Sequence, residues 1–223
     1  MSSDRAVFVD FDGTITDFDT FDVLVRACAG PHEWDELEQR LHAGTMTLRD
    51  VLARQAAHIH LSIDDADALL RDSTRFDPGF ARFIERCEAE GVPVTVLSSG
   101  VLPLIQRAFA RNGLERVTIL ANEVDASPNG WRFRFRDASD NGHDKAAAVR
   151  AARDAGVHTV FIGDGHSDFT AAIAADERYA KRGRALEAHL RERAIAFTPF
   201  LHFDEIAQQI HRAPQSPSAS TSS

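Results

Sequence analysis

Three short runs rich in Val, Ile and Phe (Ala6 to Val9, Val92 to Leu97 and Val157 to Ile162) each end in a polar loop that contains glycine. The loops are Asp10-Phe11-Asp12-Gly13, Ser98-Ser99-Gly100 and Gly163-Asp164-Gly165, and a segment of helical period follows each. Apolar runs of this length, bounded by turn formers, read as strands buried on both faces, as in a parallel sheet joined by crossover helices. Ligands of such a sheet collect at the carboxyl ends of its strands, so the three loops would converge on one crevice. The expected fold class is α/β, a Rossmann-like parallel sheet sandwiched by helices.

Between the first two runs lies a stretch with no strand signal, roughly Asp17 to Phe76, punctuated by Gly30-Pro31 and Gly44-Thr45. Trp34, Leu37 and Leu41, and then Leu48 and Leu52, recur at helical spacing there. This is too much chain for a crossover and reads as an inserted helical cap of about four helices. Val117 to Val124 and Trp131 to Phe135, separated by Ser127-Pro128-Asn129-Gly130, read as a hairpin. The expected division is a core of residues 1–16 and 77–212, a cap of 17–76, and a tail of 213–223 whose Ser, Pro and Ala cannot offset the entropy of ordering them.

With 25 Lys and Arg against 34 Asp and Glu, the 223-residue chain carries a formal charge of −9, the wrong sign for following a nucleic-acid backbone. An anionic ligand would have to be held by a metal ion or a local cluster of donors. No run approaches the ~18 apolar residues of a membrane span, and Asp10 and Asp12 interrupt the first apolar run before an export signal could form. Two cysteines, Cys28 and Cys87, are too few for a disulfide scaffold and lack metal-ligand spacing, which fits a reduced, cytoplasmic protein.

Two carboxylates leaving one strand end, with a turn at Gly13, can address one ligand from different sides. One can attack while the other handles a proton, because acids sharing a pocket have their pKa values pushed apart. An isolated Asp-x-Asp can also merely cap a turn. The loop Gly163-Asp164-Gly165-His166-Ser167-Asp168 offers hard oxygen donors suited to Mg²⁺, or equally a tight turn with Ser167 or Asp168 as a helix N-cap. Ser98-Ser99-Gly100 supplies a hydroxyl and backbone N–H groups where a helix begins at about Val101. Lys145, opening a helical run from Lys145 to Ala155, is misplaced for the helix dipole unless an anion sits opposite it.

Taken together and in this order, Asp10-Phe11-Asp12-Gly13-Thr14, Ser98, Lys145 and Gly163-Asp164-Gly165-His166-Ser167-Asp168 resemble the four-motif signature of the haloacid dehalogenase superfamily. The resemblance spans about Ala6 to Ile210. Its helical insertion is similar to the cap of the phosphoserine-phosphatase-like branch, and Trp34 to Arg49 and Tyr179 to Phe203 are similar to the methionine-salvage phosphatases of that branch. It implies that Asp10 is the nucleophile of an aspartyl-phosphate intermediate and Asp12 the general acid and base. It further implies that Mg²⁺ is bound by Asp10, the Asp12 backbone carbonyl, Asp164 and, directly or through water, Asp168. Ser98, a backbone N–H of Ser99 or Gly100, and Lys145 would hold the phosphoryl oxygens. An Asp at position 12 implies a phosphatase, or a phosphotransferase that passes the group to a metabolite hydroxyl; a non-enzymatic binding protein would have no need to keep all these residues.

One departure is Ser98-Ser99-Gly100, where many relatives carry Ser-Gly-Gly. Asp19 falls where phosphoserine phosphatases have a Glu that holds the substrate amino group, and Arg49 falls near an Arg that holds its carboxylate, so both are candidate specificity residues. A helix-capping Asp and a surface Arg are the alternatives. His143 and His166 flank two motifs and read as loop histidines or substrate contacts. Phe18 and Phe21 are spaced to line a cleft between cap and core, or to pack the cap. The expected partner is a small phosphomonoester, with a hydroxy-keto phosphate of the methionine-salvage type and an amino-acid phosphate both compatible, and the chain is expected to be a monomer or homodimer.

Overall fold

The structure, a computed structural model, describes residues 4–29, 31–207 and 209–210, with the side chains of 31–34 excepted. The expected tail, 213–223, lies outside them. Seven strands form one sheet: β1 (Arg5–Asp10), β2 (Val94–Val101), β3 (Thr118–Asp125), β4 (Arg132–Arg134), β5 (His158–Gly163), β6 (Glu177–Lys181) and β7 (Thr198–Phe200). Their order is β4-β3-β2-β1-β5-β6-β7, and every neighbouring pair is parallel except β3 with β4. The chain lays down β1, β2 and β3 in one direction and then returns to the other side of β1 with β5. The order therefore reverses beside β1, and a crevice opens at the carboxyl ends of β1 and β5.

Alternation along the strands fills both faces. Val7, Val9, Val160 and Ile162 point into a cluster with Phe80, Phe83, Phe109 and Phe203, brought by α5 (Phe80–Ala89), α6 (Leu102–Arg111) and α10 (Phe203–Ala207). Phe8 and Phe161 point to the other face, against the small side chains of α7 (Lys145–Asp154) and α8 (Phe169–Ala174) and the leucines of α9 (Ala185–Glu192). The loop expected at Ser98 to Gly100 is instead a continuation of β2, whose register with β3 slips between Leu97 and Val101. Pairing with β3 keeps this backbone extended, and α6 starts only at Leu102.

Between β1 and α5 stand four helices, α1 (Thr20–Ala29), α2 (Pro31–His42), α3 (Leu48–Ala56) and α4 (Ile63–Leu70). The chain enters and leaves this bundle side by side: Thr16 and Phe76 form an antiparallel bridge, and the Asp17 amide donates to Arg75 O at 3.3 Å. The β3–β4 hairpin ties the bundle down. The Trp131 amide donates to the carbonyls of Ala56 (3.0 Å) and Ile59 (3.1 Å), and its indole N–H donates to Leu61 O at 2.7 Å. Trp131 is buried among Leu24, Leu52 and Ile59. On the far side Arg111 of α6 reaches the buried Asp67 of α4 at 2.5 Å. Among the described residues no helix is long and apolar enough to cross a membrane.

Candidate active site

Phe11 sets the geometry at the end of β1. Its ring is 1% exposed and packs edge-on against Phe76 and at a tilt against Phe109, both at 5.8 Å. With Phe11 turned into the core, its neighbours Asp10 and Asp12 must turn toward the crevice. The amides of Thr14, Ile15 and Thr16 all donate to Phe11 O, closing a tight turn. Gly13 takes φ +78° in it, and a Cβ there would lie 2.3 Å from Asp164 Oδ2. Only glycine satisfies both the backbone and the approach of the β5 loop.

Asp10 is 4% exposed, and its two oxygens are held separately. Lys145 Nζ donates to Oδ1 at 2.5 Å and Thr14 Oγ1 to Oδ2 at 2.9 Å. Lys145 is itself 2% exposed and also donates to Asp168 Oδ1 at 2.7 Å. Its position at the start of α7, unfavourable for the dipole, is answered by these carboxylates and by Asp144, whose side chain caps the helix by accepting from the Ala147 amide. Asp168 Oδ2 accepts from the amides of Asp164 and Gly165, each at 3.0 Å, so it fixes the β5 loop and Lys145 together.

Asp12 is turned the other way. Its Oδ1 accepts from the Thr20 amide (2.8 Å) and hydroxyl (2.7 Å) at the start of α1, and its Oδ2 lies 3.4 Å from the Ser98 hydroxyl. A Cβ on Gly100 would come within 3.0 Å of that Oδ2, which explains glycine there without any special backbone angle. Of the two amides expected at a ligand, Ser99 or Gly100, that of Gly100 donates to Ser98 Oγ at 2.9 Å. Ser99 Oγ is buried without a hydrogen-bond partner among the described residues, and its carbonyl accepts from buried Asn122 at 2.8 Å. His143 is buried and donates from Nδ1 to Ser98 O at 2.9 Å. Burial lowers its pKa, and the bond to Ser98 O makes it a brace for the β2 end.

One oxygen from each of Asp10, Asp164 and Asp168 lies within 4.8 Å of the others, a hard-oxygen set of the kind that suits a divalent cation. The protein's own cations answer this charge incompletely. Burial pushes Asp10 up to about 7, with the Asp168 charge adding and Lys145 and Thr14 opposing. Asp164 is raised to about 8, first by burial and then by Asp10 and Asp168. Burial and then Asp19 carry Asp12 to about 8 against the two Thr20 donors. Burial works against the Lys145 charge, but Asp10 and Asp168 outweigh it and raise the ammonium above its usual range.

Carboxyls whose folded pKa is raised contribute stability that is full below about 4 and is lost as pH climbs through 7 to 8. A divalent cation competes with those protons, so its binding strengthens over the same window. Thermal melts in EDTA should fall by several degrees between pH 6 and pH 8.5, and Mg²⁺ should raise the melting temperature more at pH 8.5 than at pH 6. An Mg²⁺ increment that is absent, or equal at both pH values, would contradict this electrostatic account.

A cavity of about 440 Å³ opens above these residues, floored by Asp10, Asp12, Ser98 and Lys145 and roofed by the helical bundle. Asp19 lines it and also caps α1, accepting from the Asp22 amide at 2.9 Å. Phe18 and Phe21 both line it as well; Phe21 is buried whereas Phe18 is 65% exposed at the mouth. Arg49, a candidate specificity residue or else a surface Arg, is not among the lining residues. Its guanidinium donates to Asp137 O and stacks 4.4 Å over the Phe135 ring, because the loop after β4 folds back onto the start of α3. His166 lines the cavity beside His42 of α2, the ring centroids 6.2 Å apart.

Thr14 stood in the sequence only as the end of the first motif, and Thr20, Glu38, His42 and Arg184 were not singled out. Thr14 could have been read from its place directly after the turn. The others carry no local signal, since only the folding of α1, α2 and the β6–α9 connection over the crevice brings them there.

The model of the haloacid dehalogenase-like hydrolase family matches residues 7–172. Pdp3-interacting factor 1 of Schizosaccharomyces pombe is 32% identical over 92% of this chain and 94% of its own. Polyol phosphate phosphatase PYP1 of Saccharomyces cerevisiae is 29% identical over 90% of each. The 2-hydroxy-3-keto-5-methylthiopentenyl-1-phosphate phosphatase of Microcystis aeruginosa is 30% identical over 92% of this chain and 97% of its own. A substrate-bound phosphoserine phosphatase structure, 18% identical, superposes with a TM-score of 0.72 over 94% of this chain and 99% of that one, a likeness of fold. The chain belongs to the haloacid dehalogenase-like hydrolase family. Within that family it is a phosphomonoester hydrolase.

Proposed function

We propose that the chain hydrolyses the phosphomonoester of a small hydroxylated metabolite in two displacements at Asp10. The observation that carries this reading is the opposed environment of two carboxylates on one cavity floor. Asp10 is gripped by Lys145 and Thr14, while Asp12 faces no cation, accepting from Thr20 and lying beside the Ser98 hydroxyl. An Asp10 oxygen attacks phosphorus and forms an acyl phosphate as the ester oxygen departs. Asp12, which burial favours in its protonated form, gives its proton to that oxygen. In the second step Asp12 takes a proton from water, the water oxygen attacks phosphorus, and the Asp10 carboxylate is released. Lys145 and the Ser98 hydroxyl stand where they can hold phosphoryl oxygens as charge shifts.

Residues Asp10 and Asp164, with the Asp12 carbonyl oxygen, would hold Mg²⁺, which supplies the positive charge that lets the Asp10 carboxylate approach an anionic phosphoryl group. Asp168, the third acid of that set, would ligate directly or through water, and it also positions Lys145 and the β5 loop. The helical bundle between β1 and α5 acts as a cap that bears the specificity side of the cavity, on a core made by the sheet and its flanking helices. Free Cys28 and Cys87 fit a reducing, cytoplasmic setting. The relatives named for a polyol phosphate and a hydroxy-keto phosphate support a hydroxylated leaving group.

Phosphate release should be measured from a panel of sugar, polyol, amino-acid and keto-alcohol phosphates together with p-nitrophenyl phosphate. The expected result is Mg²⁺-dependent turnover of at least one ester, reduced at least 100-fold by EDTA. Silence across the panel from folded protein with Mg²⁺ would overturn the reading.

A further inference from the structure

The floor of the cavity accounts for the phosphoryl group, and its roof bears on what the phosphate is attached to. α2 lies across the site with Glu38 and His42, one turn apart, both lining the cavity and 3.7 Å from each other. Asp19 lines the same space from the start of α1. The nearby cations are committed elsewhere. Lys145 is shared between Asp10 and Asp168, Arg26 grips Asp22 at 2.9 Å, and Arg49 is drawn off to the Asp137 carbonyl and the Phe135 ring. Arg184 lies on the core side, 3.9 Å from Asp164. Among the described residues no Lys or Arg of the bundle lines the cavity.

Resting on the phosphatase reading above, we propose that Glu38, with Asp19, makes the site select phosphate esters whose leaving group donates hydrogen bonds through hydroxyls and bears no negative charge. A carboxylate or second phosphate carried by the substrate would face two acidic side chains of the roof, while Arg184, which also lines the cavity, stands on the core side beside Asp164. A hydroxyl donates to the same carboxylates at no such cost. Partial burial raises the Glu38 pKa, with His42 and Arg26 opposing and Asp19 and Asp22 adding. The withdrawal of Arg49 removes the feature that would have made an amino-acid phosphate a natural substrate.

Glycerol 3-phosphate and 3-phosphoglycerate differ in one position, a carbinol against a carboxylate, and are the test pair. Two like charges about 5 Å apart near a protein surface predict a kcat/KM ratio of about 100 in favour of the glycerol ester. Glu38→Gln and Asp19→Asn should each narrow the ratio by about tenfold, chiefly through the KM of the carboxylated ester, and Glu38→Lys should bring it close to one. Phosphoethanolamine forms the third arm; if it exceeds the glycerol ester more than tenfold, the commitment to hydroxyls is overturned in favour of an ammonium. A wild-type ratio near one, or a ratio unmoved in every folded variant, overturns the proposal. p-Nitrophenyl phosphate separates the two readings, since it has no group for the roof to select. If it too is inert with Mg²⁺, the phosphatase reading has failed and the roof is read by calorimetry of the test pair, where equal affinity overturns the selection.

Discussion

Asp10→Asn is expected to lower phosphate release at least ~10⁴-fold while leaving the protein folded. The amide keeps the size of the carboxylate, its oxygen accepting from Lys145 and its NH2 donating to the Thr14 hydroxyl, so the packing beneath Phe11 is undisturbed. It cannot attack phosphorus. The substitution also removes one of the buried carboxyls whose ionisation opposes folding at high pH, so the variant should melt no lower than the wild type in EDTA at pH 8.5. Phosphate release and thermal melts on the same preparation check both halves. A variant that retains more than a few per cent of turnover would show that Asp10 is not the attacking group.

Lys145→Ala should be the most damaging single change to stability in the site. Lys145 Nζ lies 2.5 Å from Asp10 and 2.7 Å from Asp168, with all three side chains almost wholly buried. Without the ammonium the two carboxylates face each other without a cation, and breaking a buried pair in this way costs about 3–5 kcal/mol. Protonation of Asp10, already raised to about 7, relieves part of that cost in acid. The loss measured by urea unfolding should therefore be larger at pH 8 than at pH 5.5. Turnover should fall at least ~10²-fold in parallel, since the group that steadies both Asp10 and the phosphoryl oxygens is gone. A variant as stable as wild type at pH 8 would mean that another cation compensates these acids.

The parts of this site that were legible in the sequence are those where strand pattern and loop chemistry coincide. Ala6 to Val9 and Val157 to Ile162 are apolar on both faces, so β1 and β5 could be placed and the loops after them put in one crevice. Lys145 was legible for a different reason: its charge is wrong for the start of a helix, and the buried Asp10 and Asp168 explain the anomaly. By contrast β6, whose Glu177 and Arg178 are partly exposed and whose Glu177 bonds Arg5, gives no apolar run, and the three residues of β7 are too few for a pattern. The expected loop at Ser98 to Gly100 is strand because β3 pairs alongside it, which is a tertiary effect.

The roof was the least legible. Asp19 has both of the roles its position allowed, since one carboxylate can cap α1 and still face the cavity. Arg49 sits at a helical position that could have faced the site, and only the loop after β4, more than eighty residues later in the chain, decides that it does not. Glu38 and His42 are ordinary helix-surface residues until α2 is laid across the floor.

The most direct test of the central claim is the stereochemical course at phosphorus, followed with an oxygen-isotope-labelled chiral phosphorothioate ester of the best substrate. Each in-line displacement inverts the centre, so attack by Asp10 followed by attack by water predicts net retention. Net inversion would mean that water attacks the ester directly, and that Asp10 only organises the site around it.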